Sequence, residues 1–201
     1  MGSGIDSDES DPMLVAGVPD QPLSGPTRGA STSSTLIEVD IAAVAGDNGS
    51  PITSYDIQID DGMGGAFVEL QGLTIPSLLL TATKSSGVTK AFLYRVKYRA
   101  KNDIGYGEYS DVTYILAASI PDASIPPTIV LENGDAKIAW TLPNNLGSEI
   151  FEAEITIKHS GSATYSTDLT NCDGADPTTF YNRYCLVPLL DLQGGPWNLV
   201  Q

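Results

Sequence analysis

The sequence predicts an all-β protein built as two β-sandwich units in tandem, the second of them incomplete. Three observations predict it. Apolar residues alternate with polar ones at period two, the intervening segments are rich in Gly, Asn, Asp, Ser and Pro, and the pattern recurs after about a hundred positions.

Within the first unit, Ile37, Val39 and Ile41 alternate with Glu38 and Asp40, and Tyr55, Ile57 and Ile59 with Asp56 and Gln58. Tyr94, Val96, Tyr98 and Ala100 alternate in the same way with Arg95, Lys97 and Arg99. Successive side chains of a strand point to opposite faces, so each run reads as a half-buried strand. Turn-forming segments separate the runs: Gly46-Asp47-Asn48-Gly49-Ser50-Pro51, Asp60-Asp61-Gly62-Met63-Gly64-Gly65 and Lys84-Ser85-Ser86-Gly87. No stretch sustains a 3.6-residue apolar stripe, and almost no helix is expected.

The repeat sets the domain organisation. Ile41 is followed by Ile52, Tyr55, Ile57 and Ile59, and Trp140, 99 positions on, by Ile150, Ala153, Ile155 and Ile157. Proline-rich leads open both copies, Val18-Pro19-Asp20-Gln21-Pro22 and Ile120-Pro121-Asp122-Ala123 up to Pro126-Pro127. Proline lacks an amide donor and suits a linker or sheet edge. The expected domains are 18–118 and 119–201. Residues 1–17 carry Asp6, Asp8, Glu9 and Asp11 with few apolar residues and read as a flexible acidic leader, in which Gly2-Ser3-Gly4 resembles a cloning remnant.

Among 201 residues, 25 are acidic and 10 basic, a formal charge of −15. That balance excludes a nucleic-acid footprint and argues against direct contact with an anionic membrane. No apolar run reaches the roughly 18 residues of a spanning helix.

Tyr94-Arg95-Val96-Lys97-Tyr98-Arg99-Ala100-Lys101-Asn102-Asp103-Ile104-Gly105-Tyr106-Gly107 resembles the F strand, turn and G-strand entry of fibronectin type III domains. Gly49-Ser50-Pro51-Ile52-Thr53-Ser54-Tyr55 resembles the family's approach to strand C. The resemblance implies seven strands in two sheets for each unit, with Tyr94 at the tyrosine-corner position, its hydroxyl bonding backbone upstream. Trp140 stands where the family places its strand-B tryptophan. The first unit has Ile41 there, and Phe67, Phe92 or Tyr98 is expected to fill the smaller wedge. Leu186-Val187-Pro188-Leu189-Leu190-Asp191-Leu192 reads as strand E and its turn, and no second Tyr-x-Val-x-Tyr-x-Ala segment follows. The second unit is therefore expected to lack strands F and G, either as a piece of a longer array or as the acceptor of strands donated by another chain.

Cys172 and Cys185, 13 positions apart, are the two cysteines. A disulfide is the preferred reading and free thiols the alternative; zinc is disfavoured because four ligands are needed and His159 is the sole histidine. A bridge places the protein outside the reducing cytosol, extracellular or on the cell surface.

Arg95, Lys97, Arg99 and Lys101 share one face of a strand and could meet an acidic partner, although a solvated face paired with neighbouring acids is the plainer reading. Tyr106 and Tyr109 are candidate contact residues. Asp60, Asp61, Asp173 and Asp176 lie in oxygen-rich turns that could hold calcium; no other cofactor is expected. The sequon Asn48-Gly49-Ser50 is weakened by Pro51. With one histidine no catalytic triad assembles, and no enzyme is expected. Arg28-Gly29-Ala30 lacks the carboxylate of an Arg-Gly-Asp motif. The expected function is a non-catalytic extracellular binding or spacer module that meets a protein partner or neighbouring repeats. A carbohydrate-binding accessory module and a strand-acceptor assembly are the alternatives.

Overall fold

A computed structural model describes residue 8 and residues 15–199. Apart from Asp8, the acidic leader up to residue 14 lies outside the described residues. The chain divides into two compact units, one ending at Ala118 and the other beginning at Ser119.

Among the described residues the first unit holds seven strands: β1 (Thr27–Arg28), β2 (Ile37–Asp40), β3 (Ser54–Ile59), β4 (Val68–Gln71), β5 (Thr81–Lys84), β6 (Leu93–Lys101) and β7 (Thr113–Leu116). They form two antiparallel sheets, β1-β2-β5 and β4-β3-β6-β7. The period-two residues meet between the sheets: Ile37 and Val39 of β2, Tyr55, Ile57 and Ile59 of β3, and Tyr94, Val96, Tyr98 and Ala100 of β6 are all buried. Ile41 follows directly on β2, where its N–H donates to Leu80 O at 2.9 Å and its side chain joins the core. The wedge beside it is filled by the tilted pair Tyr55 and Tyr98, with ring centroids 6.5 Å apart. Both hydroxyls are satisfied by the loop after Ile41: Tyr98 Oη donates to Ala42 O, and Tyr55 Oη accepts from Val44 N–H. Phe92 packs at the margin of this core. Phe67 does not fill the wedge; it lies on the opposite face of the sheet, because the aliphatic stems and charges of β6 offer its ring a covered place there.

Tyr94 is fully buried at the start of β6, and its Oη accepts from Thr89 N–H at 2.8 Å. At the other end of β6, Asn102 gathers three loops. Its Nδ2 donates to Gly17 O, Asp47 O and Ser50 O, and its Oδ1 accepts from Ile104 and Gly105 N–H.

The second unit holds β8 (Thr128–Glu132), β9 (Asp135–Ala139), β10 (Thr156–Lys158), β11 (Tyr165–Thr167), the helix α1 (Pro177–Asn182), β12 (Tyr184–Pro188) and the helix α2 (Leu189–Gln193). Its sheets are β12-β9-β8 and the hairpin β10-β11. Trp140 follows directly on β9, donates its N–H to Arg183 O and packs half-buried against Ala136, Ile138, Val187 and their neighbours.

Local structure here departs from the alternation. The segment through Ala153 and Ile155 reaches strand conformation only at Thr156. The run from Leu186 is strand only as far as Pro188, after which Leu189–Gln193 turn into helix and bury Leu192. Leu189, Leu190 and Leu192 are strong helix formers placed directly after a proline that cannot extend a ladder. The turn-rich loop after Cys172 leads into a helical turn as well, since Asp176 caps it by accepting from Thr178 and Thr179 N–H and Pro177 opens it. Cys172 and Cys185 form a disulfide with Cα atoms 5.1 Å apart, tying this loop to β12.

Candidate protein-contact face

The outer face of the larger sheet in the first unit is built by the residues that alternate with its core. The β3/β6 register sets Asp56 opposite Arg99 and Gln58 opposite Lys97, and Asp60 N–H donates to Arg95 O just beyond. Acid, amide and acid thus face arginine, lysine and arginine.

Both carboxylates are fully buried at their side chains and are held by hydrogen bonds. Asp60 accepts from Arg95 Nε at 2.7 Å, from Arg95 N–H at 2.9 Å and from Gly62 N–H at 3.0 Å. Burial pushes its carboxyl up, but these donors outweigh burial and hold it below the ordinary 3.8. Asp56 accepts from Arg99 Nε and Tyr109 Oη, each at 2.9 Å, and more distantly from Gln58 Nε2. The Tyr109 phenol is pushed up to about 12, first by burial and then by its hydrogen bond to Asp56 and that group's charge.

Three rings lie among the four cations. Arg95 Cζ and Lys97 Nζ sit 5.0 and 4.5 Å from the Phe67 centroid. Lys97 and Arg99 sit 3.8 and 4.2 Å from that of Tyr109, and Arg99 and Lys101 sit 4.1 and 5.0 Å from that of Tyr106. The result is a continuous ladder in which every cation touches at least one ring. The two arginines are neutralised by Asp56 and Asp60. Among the described residues no carboxylate stands within ion-pair distance of Lys97 or Lys101.

The structure brings together Arg95, Lys97, Arg99, Tyr106 and Tyr109, read from the sequence as partner-contact candidates, joins to them Asp60, read as a calcium candidate, and adds Phe67 and Asp56. The calcium candidates are not brought together as ligands. Asp60 is spent on Arg95, Asp61 accepts from Met63 and Gly65 N–H, Asp173 from Ala175 N–H, and Asp176 caps α1. Among the described residues no group of three or more His, Cys, Asp or Glu could hold a metal. The Asn48 amide donates to Val18 O and Asp20 Oδ1. His159 Nε2 lies 2.9 Å from Ser166 Oγ, but among the described residues no carboxylate orients the ring. No helix among them is long and apolar enough to cross a membrane.

No family model matches the chain. Fibronectin type-III domain-containing protein 3a of Gallus gallus is 28% identical over 216 residues, which cover 100% of this chain and 17% of that protein. Its counterpart in Mus musculus is 28% identical over 170 residues, 77% of this chain and 13% of that protein. The chain thus spans about a sixth of the length of the curated relatives it matches. Among solved structures, the sixth fibronectin type III domain of human fibronectin type III domain containing protein 3 is 22% identical with a TM-score of 0.44, covering 54% of this chain and 95% of that one. The chicken CNTN1 FN1-FN3 domains are 19% identical with a TM-score of 0.40, covering 78% and 52%. The class is that of all-β proteins made of tandem sandwich units. Those units are fibronectin type III-like, similar in sequence to the curated fibronectin type III domain-containing relatives.

Proposed function

We propose that the chain is a non-catalytic binding and spacer module of a longer extracellular or cell-surface protein, and that its first repeat meets an acidic protein partner through the ladder on β3 and β6. The observation that carries this reading is the unneutralised charge of Lys97 and Lys101, fixed between Tyr106, Tyr109 and Phe67 on a rigid strand. A ring-bound ammonium costs little further ordering when it pairs, so a partner's carboxylate gains there what a freely rotating surface lysine would lose. The disulfide supports an oxidising compartment. A carbohydrate platform is not favoured, because the Tyr106 and Tyr109 rings that would stack on a sugar are already covered by cations.

Calorimetric titration with an extended Asp/Glu-rich peptide tests the reading. Saturable binding that weakens with salt, and at least tenfold with the pair Lys97→Glu and Lys101→Glu, is expected. Absence of binding, or binding untouched by the two substitutions, overturns it.

A further inference from the structure

The four cations of β6 are not equivalent, and the two kinds alternate. Arg95 and Arg99 are neutralised by the fully buried carboxylates of Asp60 and Asp56, which accept from their Nε atoms at 2.7 and 2.9 Å. The register sets neutral side chains opposite the lysines, Gln58 facing Lys97 and Ser54 facing Lys101. Among the described residues neither lysine has a carboxylate within ion-pair distance. From residue 95 to residue 101 the outward row therefore carries net charge in the order neutral, positive, neutral, positive.

The strand sets the spacing of the two available charges. Residues four apart on a strand share a face and stand about 13 Å apart, at about 3.3 Å per residue. The rings keep the ammonium groups near that spacing: Lys97 Nζ lies 4.5 and 3.8 Å from the centroids of Phe67 and Tyr109, and Lys101 Nζ 5.0 Å from that of Tyr106. An extended partner segment laid along β6 has the same rise, so its residues i and i+4 meet the two lysines and its residue i+2 meets Arg99. A carboxylate at i+2 loses water beside a guanidinium whose charge Asp56 already balances, and no net Coulomb attraction offsets that cost. A helix holds its i and i+4 side chains about 6 Å apart, too close to reach both lysines.

We propose that this face selects its partner by the spacing of carboxylates: an extended segment with acidic side chains at i and i+4 and a neutral one at i+2. This spacing rule rests on the acidic-partner reading above and adds to it the partner's conformation and charge pattern. Lys97 and Lys101 supply the attraction. The neutralised Arg99 between them supplies the discrimination, because it gives an acid in the wrong register nothing to pair with.

The probes are three peptides in a Ser/Thr background, titrated calorimetrically into the full chain at low ionic strength. The first carries glutamates at i and i+4, the second at i and i+2, and the third at i, i+2 and i+4. The first is expected to bind about fivefold tighter than the second, the difference one ring-ordered surface ion pair makes. The third is expected to bind no tighter than the first, in spite of its added charge. Lys101→Gln, whose side chain lies outside the core, is expected to remove the preference for the first peptide over the second and to keep the residual affinity at Lys97; an unchanged far-UV circular dichroism spectrum verifies its fold. Equal affinity for the first two peptides, a third peptide that binds tighter in proportion to its charge, or a preference that survives Lys101→Gln overturns the spacing rule and leaves the acidic-partner reading in place. Absence of binding by all three overturns both.

Discussion

Replacing Asp56 by alanine removes the acceptor on which one end of the ladder converges. The side chain is fully buried and accepts from Arg99 Nε and Tyr109 Oη, each at 2.9 Å. A hydrogen bond to a charged group contributes about 1.5–3 kcal/mol, and a group left unpaired adds its own desolvation penalty. Arg99 is 23% exposed and recovers part of its hydration, which lowers the sum. The expected loss is about 3 kcal/mol, near the lower end of the range for breaking one partner of a buried pair. For a domain of this size that lowers the thermal midpoint by about 12–24 °C. The assay separates the units without dissection, because Trp140 and Trp197 are the two tryptophans of the chain and both lie in the second unit. Far-UV circular dichroism is expected to show the first unit melting early while the tryptophan transition stays in place. Asp56→Asn, which keeps one acceptor oxygen, should fall between. A loss below about 1 kcal/mol would refute the reasoning by showing that Coulomb attraction here only offsets desolvation.

Three further outcomes follow from the same geometry. Tyr109 holds its proton more tightly folded than unfolded, so its contribution is complete below about pH 10 and lost as pH rises toward about 12; alkaline unfolding of Tyr109→Phe should lack that slope, and an unchanged slope would contradict the assignment. Reducing the Cys172–Cys185 bridge, with a sequence separation of 13, should destabilise the second unit by about 3 kcal/mol on loop-entropy grounds; a tryptophan transition that tris-phosphine leaves unmoved would count against it. Asn102→Ala strands acceptors and donors of three loops and should cost the first unit about 3 kcal/mol, with faster amide exchange at Ile104 and Gly105; protection equal to the parent would show that the loops hold without it.

The legible part of the fold was what depends on parity along one strand. Tyr94 to Lys101 alternate so regularly that both faces of β6 can be read directly, core residues on one and the basic stripe on the other. What faces that stripe was not legible, because the pairing of Asp56 with Arg99 and of Asp60 with Arg95 depends on cross-strand register, which no single strand specifies. Phe67 shows the same limit. An aromatic residue in a strand-rich unit suggests a core position, yet the long aliphatic stems of Arg95 and Lys97 supply a second apolar environment outside it. In the second unit the sequence held an unused signal: Asp176-Pro177 is a cap and first-turn pair, and it announces α1 although no apolar stripe follows. The switch from strand to helix at Leu189 had no period to reveal it, since five residues are too few for a helical face to declare itself.

The central claim is that one face of the first repeat has saturated arginines and available lysines. Side-chain-resolved NMR during an acidic-peptide titration tests it most directly. Lys97 and Lys101 Nζ resonances are expected to shift with saturation, while Arg95 and Arg99 Nε stay where Asp60 and Asp56 hold them. Shifts confined to the turns at either end of the sandwich, or arginine resonances that move with the lysines, would contradict the account.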